Sequence, residues 1–259
     1  MKWWRIGLLM LVSLIVFVFT QWPDDKMHVV YCDVGEGDSA IIIKGKFQAV
    51  VDTGPDIGKF DDCFSSHVPF WDRRIEAVFV THQHADHNGA LGEIKKRYKI
   101  DKLIVDAAHG DVLSYGNIHI DTLMGFEPDP LSKVAGTNTA NDSSEVLELR
   151  YGNFSALFTG DIDDKAELAL LEKGVLNKIN VLKVAHHGSK FGSSNIFLEM
   201  TLPKTAIISV GAKNNYGHPN SDTLIRLDTV GAKVYRTDKM GTVEVITDGE
   251  TYTVSHLKK

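Results

Sequence analysis

The stretch Val80-Thr81-His82-Gln83-His84-Ala85-Asp86-His87 follows a mostly apolar run over 75–80 and precedes a segment with helical periodicity over 88–98. It places three imidazoles and one carboxylate so close together that burial without a metal ion would be costly. His82 and His84 would not share a face of a helix, but they can point the same way on an extended loop. A solvated histidine-rich loop is the alternative, and the specific pattern between a strand and a helix disfavours it.

The ligand types in this loop indicate which metal it would bind. Neutral imidazole and carboxylate suit Zn²⁺, with Mn²⁺ or Fe as alternatives. The cluster contains no Cys, which favours a catalytic site over a closed structural one. Asp86 and His87 fall where the helix begins, so both can reach back towards the same cavity. The stretch therefore predicts two metal half-sites.

The first 22 residues form an apolar segment with a basic flank. Lys2 and Arg5 surround two tryptophans, and an almost uninterrupted apolar run extends from Ile6 to Phe19. The run reaches the ~20 residues of a bilayer span only with its flanks. No small-x-small cleavage site precedes Pro23, so we predict an uncleaved signal anchor over 1–25. Alternatives are a cleaved signal peptide, which would give a secreted protein, and a core helix.

The basic flank predicts the orientation of the remaining chain. Positive residues stay in the cytoplasm, which places the domain 26–259 outside a bacterial-type cell membrane, with residues 1–22 as its membrane contact. The net charge of -6 gives no global basic field, so a polyanion would have to be held locally. Cys32 and Cys63 are too few for a disulfide framework. We expect two packed thiols, with a disulfide open in an exported protein.

Periodicity predicts a chain rich in short strands. The predicted strands lie over 28–34, 39–44, 47–52, 75–80, 102–105, 118–123, 146–151, 154–158, 180–185, 205–210, 233–236, 242–247 and 251–256. Helices are predicted within 56–74 and over 88–98, 164–172 and 221–229. The segment 125–142 has no period and is predicted to form a loop over the site.

Two aspartates end predicted strands. Asp52 ends the run 47–52 and precedes turn residues, where it can cap the turn. Asp161 follows Thr159-Gly160 and precedes a helix, a position from which a carboxylate can bridge two cations. An N-cap is the competing explanation, and either Asp161 or Asp163 can supply it.

Histidines also follow predicted strands later in the chain. His186 and His187 come directly after the run 180–185, so they repeat the arrangement of the first cluster. One is expected to bind metal and the other to face substrate. His218 lies in a loop with Lys213, Asn214 and Tyr216. These polar neighbours favour a role in substrate binding or proton transfer over that of a loop histidine without a function.

The combined motifs resemble the signature of the metallo-β-lactamase superfamily and, more narrowly, the extracellular hydrolase domain of ComEC-type competence proteins and their free-standing relatives. The motifs that carry the resemblance are Asp33–Ser39, Val51–Gly54, the stretch Val80–His87 (called the metal loop below), Thr159–Asp161, Val184–Ser189, Ser209–Gly211, Tyr216–Pro219 and Arg236–Asp238. It implies an α/β (α+β) fold, a four-layer αββα sandwich behind the N-terminal membrane segment. It also implies a metal site, usually dinuclear, at one edge of the two sheets.

The resemblance implies a role for each matching residue. His82, His84 and Asp161 would bind one metal. Asp86, His87, His187 and the shared Asp161 would bind the other. Asp52 would orient the metal loop by hydrogen bonding, and His186 is an alternate ligand or a substrate contact.

Two departures from the related proteins concern the metal ligands. His84 stands where ComEC-type domains often have Asp, and this restores the fuller dinuclear set. Asn141 stands where many superfamily hydrolases have a histidine, about twenty residues before the bridging aspartate. Asn141 is therefore assigned a supporting position beside the metal, and one metal site would be poorer in protein ligands.

The implied activity is hydrolysis by a metal-activated water. Asp86 would accept a hydrogen bond from that water, and His218 or His186 would stabilise the oxyanion or protonate the leaving group. The favoured substrate is a nucleic-acid or small-molecule phosphodiester, with phosphate contacts from Lys183, Lys190, Lys213 and Asn214. The alternatives are a lactam, lactone or thioester hydrolase, and a non-catalytic membrane-tethered binding module. The sequence has no multi-span channel and identifies no protein partner.

Overall fold

The computed structural model describes residues 3–20, 24–125 and 144–257, with the backbone alone over 14–20. Asn141 and nearly all of the predicted loop over 125–142 lie outside the described residues. The strands are β1 (Met27–Tyr31), β2 (Ser39–Lys44), β3 (Phe47–Thr53), β4 (Arg74–Val80), β5 (Lys99–Val105), β6 (Val112–Tyr115), β7 (Ile118–Met124), β8 (Val146–Tyr151), β9 (Phe154–Phe158), β10 (Val181–Lys183), β11 (Thr205–Ile208), β12 (Lys233–Arg236), β13 (Val243–Thr247) and β14 (Tyr252–His256).

The described strands form two seven-stranded sheets. The first has the order β14-β13-β1-β2-β3-β4-β5, and the second has the order β12-β11-β10-β9-β8-β7-β6. Each sheet is mixed: β3, β4 and β5 are parallel to one another, as are β9, β10, β11 and β12, and the other neighbours are antiparallel. The parallel strands of each sheet end at a common edge, where the loops that follow β4 and β10 lie.

Besides the strands, the described residues form eight helices. They are α1 (Trp3–Thr20), α2 (Ile57–His67), α3 (Ala85–Asn88), α4 (Leu91–Arg97), α5 (Asp164–Lys173), α6 (Asn195–Thr201), α7 (Ser221–Thr229) and α8 (Thr237–Met240), with a 3₁₀ turn over Ala185–Gly188. The Asp163 carboxylate accepts hydrogen bonds from Lys165 N and Ala166 N and so caps α5. The N-cap of this helix is therefore Asp163 and not Asp161.

Three apolar clusters account for the layers. One lies between the sheets, where the rings of Tyr31 and Phe158 stack with centroids 5.8 Å apart. The second packs Phe60 of α2 and Ile94 of α4 against the first sheet. The third packs helices α5, α6 and α7 against the second sheet, with Phe197 fully buried. Strands covered on both faces need apolar residues on both faces, which explains the continuous apolar runs. The structure confirms the predicted αββα sandwich.

Four sequence predictions need correction or further support. Strand β6 was missed because its side chains are largely exposed and give no apolar alternation. The predicted helix over 88–98 is divided into α3 and α4. Cys32 and Cys63 form a disulfide with Cα atoms 5.8 Å apart, so the expectation of two packed thiols is wrong. None of the helices among the described residues is long and apolar enough to cross a membrane, so the predicted anchor is not supported.

Candidate metal centre

The metal loop leaves β4 at the edge of the first sheet, and its histidines converge. His82 Nε2 lies 3.2 Å from His84 Nδ1, and the rings of His82 and His87 have centroids 4.0 Å apart. A second loop lies against this one, since Asp38 N donates to Asp86 O at 3.1 Å. Gly37 permits the approach, because a Cβ at this position would lie 2.3 Å from Asp86 O. The metal loop therefore has a fixed backbone.

Asp52 lies beneath the metal loop and contacts Thr81 and His87. Its carboxylate accepts hydrogen bonds from Thr81 N at 2.8 Å, from Thr81 Oγ1 at 2.7 Å and from His87 Nδ1 at 2.8 Å. The buried Asp52 has a positive φ of 59°, which turns the end of β3 towards the metal loop. A histidine that donates from Nδ1 presents the lone pair of Nε2, which is the arrangement common to metal-binding histidines. The orienting role of Asp52 stays a prediction, and it depends on this hydrogen bond to His87.

Asp161 lies between two groups of ligands. Its Oδ2 is 3.8 Å from His82 Nε2, while its Oδ1 is 3.2 Å from His87 Nε2 and 3.8 Å from His187 Nε2. The two oxygens of one buried carboxylate thus face different histidines. This is the geometry required of a carboxylate that bridges two cations.

The paired histidines after β10 occupy a strained turn. His186 and His187 have positive φ values of 48° and 53°, and non-glycine residues rarely adopt this conformation. His187 Nδ1 lies 2.9 Å from Ser209 O, so it donates to that carbonyl and presents Nε2 to Asp86 Oδ2 at 3.4 Å. His186 Nε2 lies 3.7 Å from Asp161 Oδ2. The strained turn places one imidazole near each carboxylate oxygen of Asp161, and backbone strain of this kind is common at functional sites.

The arrangement of donor atoms fits two divalent cations. Asp38, Asp52 and His87 form a group with ligand atoms within 4.8 Å of one another, but there His87 Nδ1 is already hydrogen-bonded to Asp52. Two further groups of the described residues meet the same distance: Asp86, His87, Asp161 and His187 form one, and His82, His84 and Asp161 form the other. These are the two sets assigned from the sequence. His87 Nε2 and Asp161 Oδ1 are buried, lie 3.2 Å apart and make no hydrogen bond, so both atoms fit a role as cation ligands. The imidazole and carboxylate donors suit Zn²⁺, Mn²⁺ or Fe.

The charges of the cluster also favour a cation. Burial opposes ionisation of Asp161, but the neighbouring His87 and His187 outweigh it and hold its pKa well below the usual range. Burial lowers the pKa of His187, but Asp38 and Asp86 outweigh this effect and raise it to about 10. Burial and His87 lower the pKa of His82 to about 3. The carboxylates therefore favour positive charge at His87 and His187. Protons on the two imidazoles supply this charge, and divalent cations supply it when they displace those protons.

Lys183 and Asp38 form a buried ion pair beneath the site. Lys183 is only 3% exposed, and its Nζ contacts Asp38 Oδ2 and Gly160 O. Asp38 Oδ1 also lies 3.5 Å from His187 Nδ1. The predicted phosphate contact at Lys183 is therefore wrong, because the paired ammonium cannot reach a substrate. The positive charge of Lys183 instead neutralises the Asp38 carboxylate, which lies beside His187.

The loop that contains His218 borders the ligand groups. The ring of His218 has its centroid 5.7 Å from that of His186, but His218 belongs to neither group of ligand atoms. Burial and the neighbouring His186 lower the pKa of His218. Glu36 Oε2 accepts a hydrogen bond from Gly211 N at 2.7 Å and anchors the start of this loop. His218 thus lies beside the site without being among its predicted ligands.

Sequence reasoning missed Asp38, Lys183 and Glu36 as structural partners of the site. Asp38 and Lys183 are 145 positions apart, and no local pattern links them. The sequence signal that was available is the polar turn over 33–39, with Asp38 directly before an apolar strand. Lys190 and Lys213 are exposed, so they can contact a ligand in the way that was predicted.

An αββα sandwich with imidazole and carboxylate donors at one edge defines a class of metal-binding folds. The chain belongs to the Metallo-beta-lactamase superfamily, whose family model matches residues 32–212. It is 28% identical over 254 residues to ComE operon protein 3 of Bacillus subtilis, covering 82% of this chain and 32% of that protein. It is also 28% identical over 247 residues to Recombination protein 2 of Haemophilus influenzae, covering 92% and 31%. The chain thus spans about a third of the length of these relatives.

A solved structure supports the same fold assignment. The metallo-beta-lactamase fold protein YhfI from Bacillus subtilis has a TM-score of 0.53 at 13% identity, with 82% of this chain and 96% of that chain covered. At this identity the likeness concerns the fold alone.

Proposed function

We propose that this protein is a hydrolase that uses two divalent cations to cleave phosphodiester bonds. The observation that carries the proposal is the position of Asp161, whose two carboxylate oxygens face His82 on one side and His87 and His187 on the other. A carboxylate in this position can bind two cations at once. Family membership supports the same conclusion.

Each of the described side chains at such a site would have a separate role in hydrolysis. Two bound cations would activate water and stabilise the negative charge that develops on the scissile group. The partly exposed Asp86 belongs to one of the ligand groups, where its carboxylate can also accept a hydrogen bond from the attacking water. His186 and His218 are partly exposed and lie side by side at the rim. We assign them to the leaving group, as an imidazole can donate a proton near neutral pH.

The phosphodiester specificity rests on two further observations. The relatives of this chain include ComE operon protein 3 and a protein named Competence protein ComA, from Neisseria gonorrhoeae. The resemblance to ComEC-type domains favours a nucleic-acid substrate. Exposed Lys190 and Lys213 lie in the loops beside the paired histidines and His218, where they can contact a phosphate. They provide local positive charge in a chain whose net charge is -6.

We also propose that the domain works outside the cytoplasm. The disulfide between Cys32 and Cys63 supports this, because disulfides persist in oxidising compartments. Alkylation of free thiols in the denatured, unreduced protein tests the pairing. We expect no labelled Cys before reduction and two afterwards, and full labelling of a freshly lysed sample would contradict the proposal.

The substrate class is tested by a hydrolysis screen. The full chain is stripped with a chelator and loaded separately with Zn²⁺, Mn²⁺ or Fe²⁺, and two equivalents of metal are expected per chain. The loaded protein is assayed on a phosphodiester, a phosphomonoester, a lactam, a lactone and a thioester, and we expect the phosphodiester to be hydrolysed fastest. Faster hydrolysis of the lactam, lactone or thioester would replace the proposed substrate. Failure to bind metal would favour a non-catalytic binding module.

A further inference from the structure

A series of aromatic rings leads from the candidate metal centre to solvent. The centroid of His186 lies 5.7 Å from that of His218, and the centroid of His218 lies 5.9 Å from that of Tyr216. The rings of Tyr216 and His218 are nearly parallel, with an interplanar angle of 17°. Tyr216 as a residue is 75% exposed. Two ring-to-ring steps therefore separate an exposed aromatic face from a histidine beside Asp161.

The backbone at Tyr216 is held by a side chain of its own loop. Asn214 Oδ1 accepts hydrogen bonds from Tyr216 N at 3.2 Å and from His218 N at 2.9 Å. Asn214 Nδ2 donates to Gly211 O and His218 O, both at 2.9 Å. Because the backbone is held by a neighbouring side chain, little freedom of the loop remains to be lost on binding. An aromatic ring presented in this way is preorganised for a ligand.

A second exposed aromatic residue follows the paired histidines. Phe191 is 60% exposed, and Lys190 Nζ lies 4.8 Å from the centroid of its ring. Arg226 Nη2 donates to Lys190 O at 3.2 Å, which holds this loop on α7. The loop contacts the Tyr216 loop, since Asn220 N donates to Gly188 O at 2.8 Å. Each of the two neighbouring loops thus carries an exposed aromatic ring and an exposed lysine.

Exposed aromatic residues are common on protein surfaces, so exposure alone carries no argument. Here the fixed loop, the parallel stack and the closeness to the metal groups occur together. Aromatic platforms combined with lysines are how proteins bind single-stranded nucleic acids without strong sequence preference, because every base has a π face. A small aliphatic phosphodiester would leave these rings without a role.

We propose that Tyr216 is a base-stacking subsite that binds the nucleobase next to the scissile phosphate, so that the substrate is a single-stranded nucleic acid. The inference rests on the proposed phosphodiesterase function and specifies its substrate. The base stacks on the exposed face of Tyr216 while its phosphate reaches the ligand groups beside His186. Lys190 and Lys213 contact the flanking phosphates.

The test compares two labelled single-stranded oligonucleotides, oligo-dT and an abasic oligomer of the same length. Binding to the full chain is measured by fluorescence anisotropy, and kcat/KM is measured with metal-loaded protein. Stacking on one base predicts that the wild type prefers oligo-dT by roughly 10-fold in both assays. Tyr216→Ala should abolish the preference, while Tyr216→Phe should keep it, because Phe retains the ring and loses only the hydroxyl.

A matched control is Phe70→Ala. Phe70 is 63% exposed and precedes β4, so the length of that strand separates it from the metal loop. This variant should keep the preference for oligo-dT. Because Tyr216 is exposed, its Ala variant should retain the wild-type melting temperature.

The outcomes separate the two proposals. If the loaded protein hydrolyses neither oligomer nor any small phosphodiester, the proposed function is overturned. If it hydrolyses both oligomers equally and Tyr216→Ala changes nothing, only the stacking subsite is overturned. Equal losses in the Tyr216→Phe and Tyr216→Ala variants would assign the effect to the hydroxyl and reject stacking.

Discussion

Asp52 Oδ2 accepts a hydrogen bond from His87 Nδ1 at 2.8 Å, although the two residues are 35 positions apart. The contact joins the end of β3 to the metal loop and directs His87 Nε2 at Asp161. Burial raises the pKa of Asp52 and thus opposes its charge, although His87 partly offsets the effect. The hydrogen bond to His87 therefore gives a reason for a charged carboxylate at this buried position, because it orients the imidazole.

We expect Asp52→Asn to weaken metal binding by ~10- to 100-fold, the usual effect of losing a partner of a metal-binding histidine. An amide nitrogen cannot accept the bonds that Asp52 accepts from Thr81 and His87. Competition with a chromophoric chelator measures the affinity. The control is Asp56→Asn, since Asp56 is an exposed N-cap of α2 and Asn caps equally well. An unchanged affinity in Asp52→Asn would contradict the orienting role.

Asp161→Ala should remove both metal binding and activity, because one carboxylate faces both groups of ligands. Asp163→Ala is the matched variant two residues further on. It should lower the free energy of unfolding by about 1 kcal/mol through loss of the α5 cap and leave metal content intact. Elemental analysis and urea denaturation measure the two effects. Equal metal content in Asp161→Ala and wild type would refute the bridging assignment.

His218→Ala should lower kcat by ~10²-fold, the scale of losing one positioned proton donor, with little change in KM. His218 lies outside both ligand groups, so metal content should stay near two equivalents. If His218 protonates the leaving group, substrates with good leaving groups should lose less activity. Loss of one metal equivalent would instead identify His218 as a ligand.

Much of the site could be predicted because its ligands stand directly after apolar strands. His82, Asp161 and His187 follow β4, β9 and β10, and parallel strands that end at one edge bring such residues together. The partners of those ligands could not be predicted in this way. The pairing of Asp38 with Lys183 depends on how the two sheets pack, and neither residue carries a local signal of it.

The same distinction applies to the fold. Strands with continuous apolar runs, such as β2 and β3, were recognisable because both of their faces are buried. Strand β6 was not, since its largely exposed residues follow no pattern. The pairing of Cys32 with Cys63 also escaped prediction, because it requires the position of α2 against the first sheet.

Replacing both cysteines, as in Cys32→Ala/Cys63→Ala, should destabilise the protein. Loop-closure entropy gives about 3 to 4 kcal/mol for a bridge between residues 31 positions apart. Urea denaturation of the wild type and the double variant measures the difference. Reduced wild type should behave like the variant. Equal midpoints for oxidised wild type and the double variant would contradict the stabilising role.

Glu145 should make stability depend on pH. Burial raises the pKa of this carboxyl to about 8, and its Oε1 accepts a hydrogen bond from Ala107 N. Because the folded-state pKa exceeds the unfolded value, its contribution to stability is complete below about pH 4.5 and is lost as pH rises through 8. Glu145→Gln keeps the acceptor without the charge. Its stability relative to wild type should therefore increase between pH 5 and pH 8, as measured by urea denaturation, and a constant difference would contradict the shifted pKa.

The order of the first sheet has a consequence for synthesis of the chain. Strand β1 lies between β2 and β13, with Met27 opposite Thr247. A ribosome releases β1 long before β13 exists, so the nascent first sheet keeps an open edge until the C-terminal strands emerge. The last of the six assigned metal ligands, His187, emerges before β13 does. The full set of ligands is thus available while the sheet that carries four of the six is still incomplete.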